Sequence, residues 1–282
     1  MSLTSNGRLT HSQLYLQRLG YDSPPPPTLQ TLQELQLRHV CTFAFESLST
    51  LLHSPVPIDL PSIEQKVLMD GRGGYCFELN YLFLALLQEL GFDARGLTGW
   101  VVMGGPPDAR TGRTHRLSLV TVNGVRYVTD VGFGGMVPSS PLQLDTDVLQ
   151  VTAHEPYRLT FNGADYTVWA QVGGEWRGLY VFDLQVQADI DYIIGNWYVS
   201  THPASVFVGQ LKAARLAPGR RHTLANANYA IHYLDRPSEK RAIECADELI
   251  TLLNKTFGIC LPVHPQLRET LNGLIVANSK EP

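Results

Sequence analysis

The sequence predicts an α+β fold laid out in three consecutive parts, a helical part over residues 1–92, an antiparallel β part over 93–200 and a mixed α/β part over 201–282. Three observations predict it. Apolar residues recur at helical spacing before residue 90. Six short β-branched or aromatic runs separated by Gly, Pro and Asn follow, between about 95 and 195. After 205, a strand-like run and a helix-like run alternate.

In the first part, Thr28–Leu37 follows the Pro24–Pro27 run, and Leu29, Leu32 and Leu35 place an apolar residue every third position. The proline run is too short for a domain linker and reads as a rigid corner between helices. Residues 61–69 read as a short helix with Pro61 or Ser62 near its start. The strongest helix runs from Cys76 to Leu90. Leu79, Leu82, Phe83, Leu86, Leu87 and Leu90 form one stripe, and Gly91 stops it. In the second part, residues 100–103, 115–122, 125–133, 157–161, 166–172 and 178–184 read as strands of an antiparallel sheet or barrel. In the third, residues 229–234 read as strand and 242–258 as helix, and the chain has no internal repeat.

Composition is that of an ordinary globular protein: 282 residues, 44% hydrophobic, 17% charged. A formal net charge of −4 and a pI near 6.1 give no pull toward nucleic acid or an anionic membrane. The N-terminus lacks a basic segment followed by an unbroken apolar core, and no apolar run reaches a membrane span, so a cytoplasmic location is expected. The four cysteines (Cys41, Cys76, Cys245, Cys260) form no CxxC pair. A cysteine-based zinc site is therefore not expected, and no metal is assigned. Reduced thiols are expected, with Cys41, Cys245 and Cys260 as small buried apolar residues.

Two places carry chemistry. In Asp70–Asn80, Gly71, Gly73 and Gly74 lie just before Cys76, which opens the strongest helix. Glycines permit tight backbone and close approach of another molecule. The free N–H groups and dipole of a helix N-terminus favour an anion, here the nucleophilic thiolate, and can hold the oxyanion of an acyl-transfer intermediate. Taken alone, the segment is equally a Gly-rich turn before a buried cysteine. It is not a phosphate cradle, because no Lys-Ser/Thr pair follows the glycines.

The second place is the pair of runs flanking Asn123-Gly124, the strongest short hairpin signal. With that pair as the loop, Val122 faces Val125, Leu117 faces Asp130 and His115 faces Gly132. His115, Leu117, Leu119, Val128 and Asp130 then share the core face, with His115 and Asp130 as diagonal neighbours. A buried carboxylate needs a partner, and this register supplies His115. Asp130 would hold the imidazole in place, as the third member of a catalytic triad does. Alone, the pair is better read as a structural contact at a strand end; with Cys76 it reads as the base and orienting acid of a cysteine nucleophile.

Arg72–Asn80, Thr114–Leu117 and Asp130–Gly135 resemble, in order and spacing, the three signatures of arylamine N-acetyltransferases. Phe45–Leu48, Tyr180–Leu184 and Asn196–Phe207 extend the resemblance, which covers residues 10–215 well and the last third weakly. It implies a helical bundle, an antiparallel β-barrel and a C-terminal α/β lid around a cysteine-protease- or transglutaminase-like catalytic core. It implies ping-pong transfer from acetyl-CoA through Cys76 to an arylamine, hydrazine or N-hydroxyarylamine, with His115 as base and Asp130 orienting it, a chemistry of xenobiotic metabolism. Residue by residue, Phe45, Val101 and Phe133 match the aromatic-acceptor pocket, and Thr111, Gly112 and Ser205 match CoA-contacting positions. Glu46 and Arg72 match a structural ion pair, and Asn80 stands where it could bond Asp130. Ala204 departs from a CoA-contacting serine of some relatives. Lys212, Arg215, Arg220 and Arg221 either meet CoA phosphates or form a solvated face. The implied partners are CoA and a small aromatic amine or hydrazine, without nucleic acid or membrane; a homo-oligomer is compatible. A cysteine peptidase or transglutaminase-like enzyme would share the triad, and a binding module that kept the fold is the third alternative.

Overall fold

The computed structural model describes residues 7–103, 105–109 and 111–278. In chain order the first part contains α1 (Ser12–Arg18), α2 (Leu29–Thr42), β1 (Phe45–Glu46), α3 (Leu48–Leu51), α4 (Leu60–Glu64) and α5 (Cys76–Glu89). Then come β2 (Asp93–Val101), β3 (His115–Val122), β4 (Val125–Thr129), β5 (Leu142–Gln143), β6 (Tyr157–Phe161), β7 (Tyr166–Val172) and β8 (Glu175–Phe182). The chain ends with α6 (Asp189–Thr201), β9 (Lys212–Ala217), β10 (Arg220–Ala225), β11 (Asn228–Tyr233), β12 (Glu239–Ala242), α7 (Ala246–Lys255) and α8 (Leu267–Asn278). The fold is α+β, as the sequence predicts.

Thr28 caps α2, its hydroxyl accepting from the Thr31 N–H at 3.2 Å. The helix runs on to Thr42, past the expected end at Leu37, because Val40 also packs into the core. The segment expected as one helix over 61–69 is α4 followed by a π-helical turn at Gln65–Met69. Leu32, Leu35, Leu79, Leu82, Phe83, Leu86 and Leu87 are all fully buried in one core, so the stripe read from α5 is the face that docks. Burying one such side chain contributes about 1.5–3 kcal/mol.

Strands β5-β4-β3-β2-β8-β7-β6 form a seven-stranded antiparallel sheet that curls into a nearly closed barrel. Gln150 links its two edge strands. Its backbone pairs with Tyr157 of β6, and its side-chain amide exchanges two hydrogen bonds with the backbone of Gln143 in β5, at 2.7 and 2.9 Å. The β3–β4 hairpin has the expected register, Val122 opposite Val125 and Leu119 opposite Val128. Asn123 and Gly124 both adopt positive φ, 51° and 78°, as a two-residue loop of this type requires.

Further features differ from the sequence expectation. β2 begins at Asp93 rather than Trp100, since Leu97 at its centre is fully buried. Residues 189–201, within the stretch expected to be β, form α6, because Tyr192, Asn196 and Val199 recur at helical spacing on its buried face. The sheet of the third part, β1-β9-β10-β11-β12, takes its edge strand from the first part: Phe45 pairs with Ala214 and Glu46 with Ala213. That pairing brings Phe45 and β9 to the same place as α5. Cys245 and Cys260 are exposed and Cys41 half-buried, which corrects the expectation that all three are buried; Cys245 precedes α7 and Cys260 lies in the loop after it. No helix among the described residues is long and apolar enough to cross a membrane.

Candidate active site

Cys76 is the first residue of α5 and is 5% exposed. The start of the helix is held by Glu78. Its Oε2 accepts from the Tyr75 N–H at 3.0 Å and its Oε1 from Lys66 Nζ at 2.7 Å. Lys66 also lies 3.7 Å from Glu46, which accepts from Arg72 Nη2 at 2.6 Å and from the Leu48 N–H at 2.6 Å. The expected Glu46–Arg72 ion pair is therefore present, inside a buried network that fastens the loop before Cys76 to β1. Burial alone would raise the Glu46 pKa, but Lys66 and Arg72 hold it below the usual carboxylate value. For Glu78, burial wins and the pKa is raised. Gly73 is required here: a Cβ on it would lie 2.1 Å from the Ala44 carbonyl oxygen.

His115 opens β3 and is 2% exposed; Asp130 directly follows β4 and is fully buried. The β3–β4 ladder ends at Ser118 opposite Thr129, so the chain leaves the sheet before Asp130. The diagonal contact inferred from register is nevertheless made: His115 Nε2 donates to Asp130 Oδ2 at 2.7 Å. The other carboxylate oxygen, Oδ1, accepts from Asn80 Nδ2 and from the Gly132 N–H, both at 2.9 Å. Asn80 lies one turn along α5 from Cys76. Its amide also donates to the Arg116 carbonyl at 2.5 Å and accepts from the Val131 N–H at 2.9 Å. One side chain thus ties α5 to β3 and to the segment that follows β4.

Burial by itself would lower the His115 pKa. The Asp130 charge and hydrogen bond, with a further contribution from Cys76, overturn this and push it up to about 10. Asp130, conversely, is held below the usual carboxylate value against its burial by His115, Asn80 and the Gly132 N–H. At neutral pH the ring is then an imidazolium, with Nε2 committed to Asp130 and Nδ1 left for Cys76. The Cys76 thiol itself lies 3.6 Å from the Thr114 carbonyl oxygen. Phe133 and Tyr180 pack on the imidazole with ring centroids at 5.0 and 4.7 Å, which fixes its plane. Gly132 passes against Cys76 so closely that a Cβ would fall 2.7 Å from the Cys76 Cα.

Cys76 and His115 line a cavity of about 390 Å³. Phe45, Val101 and Phe133, the three residues matched to an acceptor pocket, all line it too. Met103, Val206, Phe207, Lys212 and Thr223 complete much of the wall, and the sequence motifs gave none of them an acceptor role. The signal available was the Asn196–Phe207 motif, in which Phe207 is the last residue. Asn196 is explained by the Tyr75 hydroxyl, which donates to its Oδ1, while its Nδ2 donates to the Val56 carbonyl at 3.0 Å.

The three expected CoA positions separate. Gly112 lines a second pocket of about 490 Å³ whose wall shares Thr114 with the first. Thr111 is exposed, its hydroxyl donating to the Val101 carbonyl at 3.2 Å. Ser205 is buried, and its hydroxyl donates to the Val199 carbonyl at 2.6 Å, closing the end of α6. Among the described residues, no group of three or more His, Cys, Asp or Glu side chains is placed to hold a metal ion.

The model of the N-acetyltransferase family matches residues 28–266. The chain is 41% identical over 251 residues to the arylamine N-acetyltransferase of Mycolicibacterium smegmatis, covering 88% of this chain and 91% of that one. It is 36% identical to the arylamine N-acetyltransferase of Escherichia coli K12, covering 87% of each. Among solved structures it superposes on the Mycobacterium marinum arylamine N-acetyltransferase in complex with CoA with a TM-score of 0.87 at 39% identity, over 92% of this chain and 98% of that one.

Proposed function

The chain belongs to the arylamine N-acetyltransferase family, whose members are acyltransferases, and from that premise we propose that it carries an acetyl group from acetyl-CoA to an aromatic amine or hydrazine through the Cys76 sulfur. The observation that carries this reading is the placement of Cys76 and the Asp130-held imidazole of His115 together on the wall of one apolar cavity.

Cys76 would react as the thiolate, the nucleophilic form of a thiol, with the proton held on His115. The sulfur attacks the thioester carbon of acetyl-CoA, and the free N–H groups of the first turn of α5 would stabilise the oxygen that becomes negative. The bond to the CoA sulfur breaks, and the proton on His115 Nδ1 goes to the departing thiolate. The ring, now neutral, takes a proton from the amine as its nitrogen attacks the acetyl carbon, and the Cys76 thiolate leaves. Asp130 keeps Nε2 protonated throughout, so Nδ1 is always the nitrogen that exchanges a proton. Phe45, Val101 and Phe133 would hold the acceptor ring on apolar surface. A cavity of about 390 Å³ suits one ring and an acyl arm rather than an extended peptide, which favours transfer over peptidase chemistry.

The test is incubation with acetyl-CoA in the absence of amine, followed by intact-protein mass and a peptide map. One acetyl group on Cys76, discharged by an added aromatic amine, is the expected result. Turnover surviving in Cys76→Ala or Cys76→Ser would sink the mechanism.

A further inference from the structure

The side chains that line the cavity are apolar with few exceptions. Apart from Cys76 and His115, the polar ones are Thr114, Thr223 and Lys212, and no carboxylate is among them. Lys212 is therefore the one permanent cation on a wall otherwise built from groups such as Phe45, Val101 and Phe133. Its backbone is pinned on both sides. The Lys212 N–H donates to Ser47 Oγ at 2.8 Å, its carbonyl accepts from the Ser47 N–H at 3.1 Å, and it pairs with Ala225 of β10. The side chain is half-buried, and among the described residues no carboxylate pairs with it. Burial lowers its pKa, as expected of an ammonium that has lost water and gained no counter-charge.

We propose that Lys212 selects the acceptor, favouring an arylamine that carries a carboxylate on its ring over a neutral one. This rests on the acetyl-transfer reading above and names the acceptor class for it. A bound carboxylate would supply the counter-charge that the wall lacks, and a charge-assisted hydrogen bond in a partly dehydrated site is stronger than the same bond in water. The anion is assigned to the acceptor rather than to CoA because of size. Cys76 and Lys212 line the same cavity, so an acceptor ring held there for attack on the acetyl group lies on the wall that carries the ammonium, whereas the long pantetheine arm would carry the CoA phosphates outside a space of about 390 Å³.

The two halves of the reaction separate these sources. Wild type, Lys212→Met and Lys212→Arg are first acetylated with acetyl-CoA, and the rate of appearance of the acetyl-enzyme is followed by mass. The isolated acetyl-enzymes are then discharged with 4-aminobenzoate and with its neutral methyl ester. Lys212→Met is expected to lower the acid-to-ester ratio of second-order discharge rates about tenfold, and Lys212→Arg to restore most of it. Raising the salt concentration should shrink the wild-type ratio. An unchanged ratio in Lys212→Met overturns the proposal. So does a defect confined to acetylation by acetyl-CoA, which would assign Lys212 to the donor's phosphates. Absence of any acetyl-enzyme in the wild type would instead remove the underlying transfer reading, and the proposal with it.

Discussion

Replacing Asp130 with Asn removes one charge and almost no volume, and the surrounding hydrogen bonds decide the effect. In the native site Oδ1 accepts from two buried donors, Asn80 Nδ2 and the Gly132 N–H, while Oδ2 accepts from His115 Nε2. An amide has one oxygen to offer. Turned toward His115, it would point its NH2 at two donors and leave both unpaired, at about 1–3 kcal/mol each. Turned the other way, it satisfies Asn80 and Gly132 and presents its NH2 to His115. The second arrangement is cheaper. Nε2 must then accept, so the proton moves to Nδ1 of a neutral ring, and the nitrogen facing Cys76 can no longer receive one. A change of this kind in a triad costs on the order of 10⁴-fold in rate, and a loss of 10³- to 10⁴-fold in acetyl transfer is expected here. The assay is stopped-flow acetylation by acetyl-CoA, paired with the pH profile of Cys76 alkylation by iodoacetamide. Turnover within tenfold of wild type, in a folded Asp130→Asn protein, would refute the tautomer argument. The substitution should also alter stability against pH. His115 has its folded pKa raised to about 10, so its contribution is fully present below its unfolded value of about 6.5 and is lost as pH rises through about 10. Asp130 is shifted down, so its contribution is present above about 3.9 and is lost as pH falls through its depressed folded value. Asp130→Asn should flatten both arms.

Three further outcomes are expected. Gly132→Ala would set a Cβ 2.7 Å from the Cys76 Cα and 2.9 Å from Asn80 Nδ2, so backbone must shift; melting should show a loss of about 1–3 kcal/mol and acetylation should fall more than tenfold. Glu46→Gln leaves Arg72 and Lys66 without their shared counter-charge in a buried network, and denaturant unfolding should register about 3–5 kcal/mol. His39 is fully buried against Tyr15, whose hydroxyl it meets at 2.6 Å, and burial lowers its pKa to about 3. Since the unfolded chain binds that proton more readily, stability should decline as pH falls from about 6.5 toward 3. The His39 ring resonance in an NMR titration should not move between pH 8 and 5, and movement there would contradict its burial as a neutral ring.

The sequence determined those features that local chemistry and periodicity encode. The stripe of α5 follows from spacing at 3.6 residues per turn, and its start at Cys76 from the glycines before it and the strength of the helix after it. The hairpin follows from Asn123-Gly124, and the His115–Asp130 neighbourhood from counting outward from that turn, because side chains on a strand alternate with a period of two. Phe45, Val101 and Phe133 came from motif matches alone, and the fold gathers them on one cavity wall. The features that the sequence did not reveal depend on groups distant along the chain. Residues 189–201 carry aromatic and β-branched residues that suit a strand, yet they form α6, because Tyr192, Asn196 and Val199 find buried partners on one helical face. β1 is only two residues long and exists because β9, more than 160 residues later, supplies the other half of its ladder. The same pairing brings Lys212 to the cavity. A single basic residue in a β-strand gives no local sign of whether it meets water or a dehydrated wall, and only packing between parts of the chain decides that.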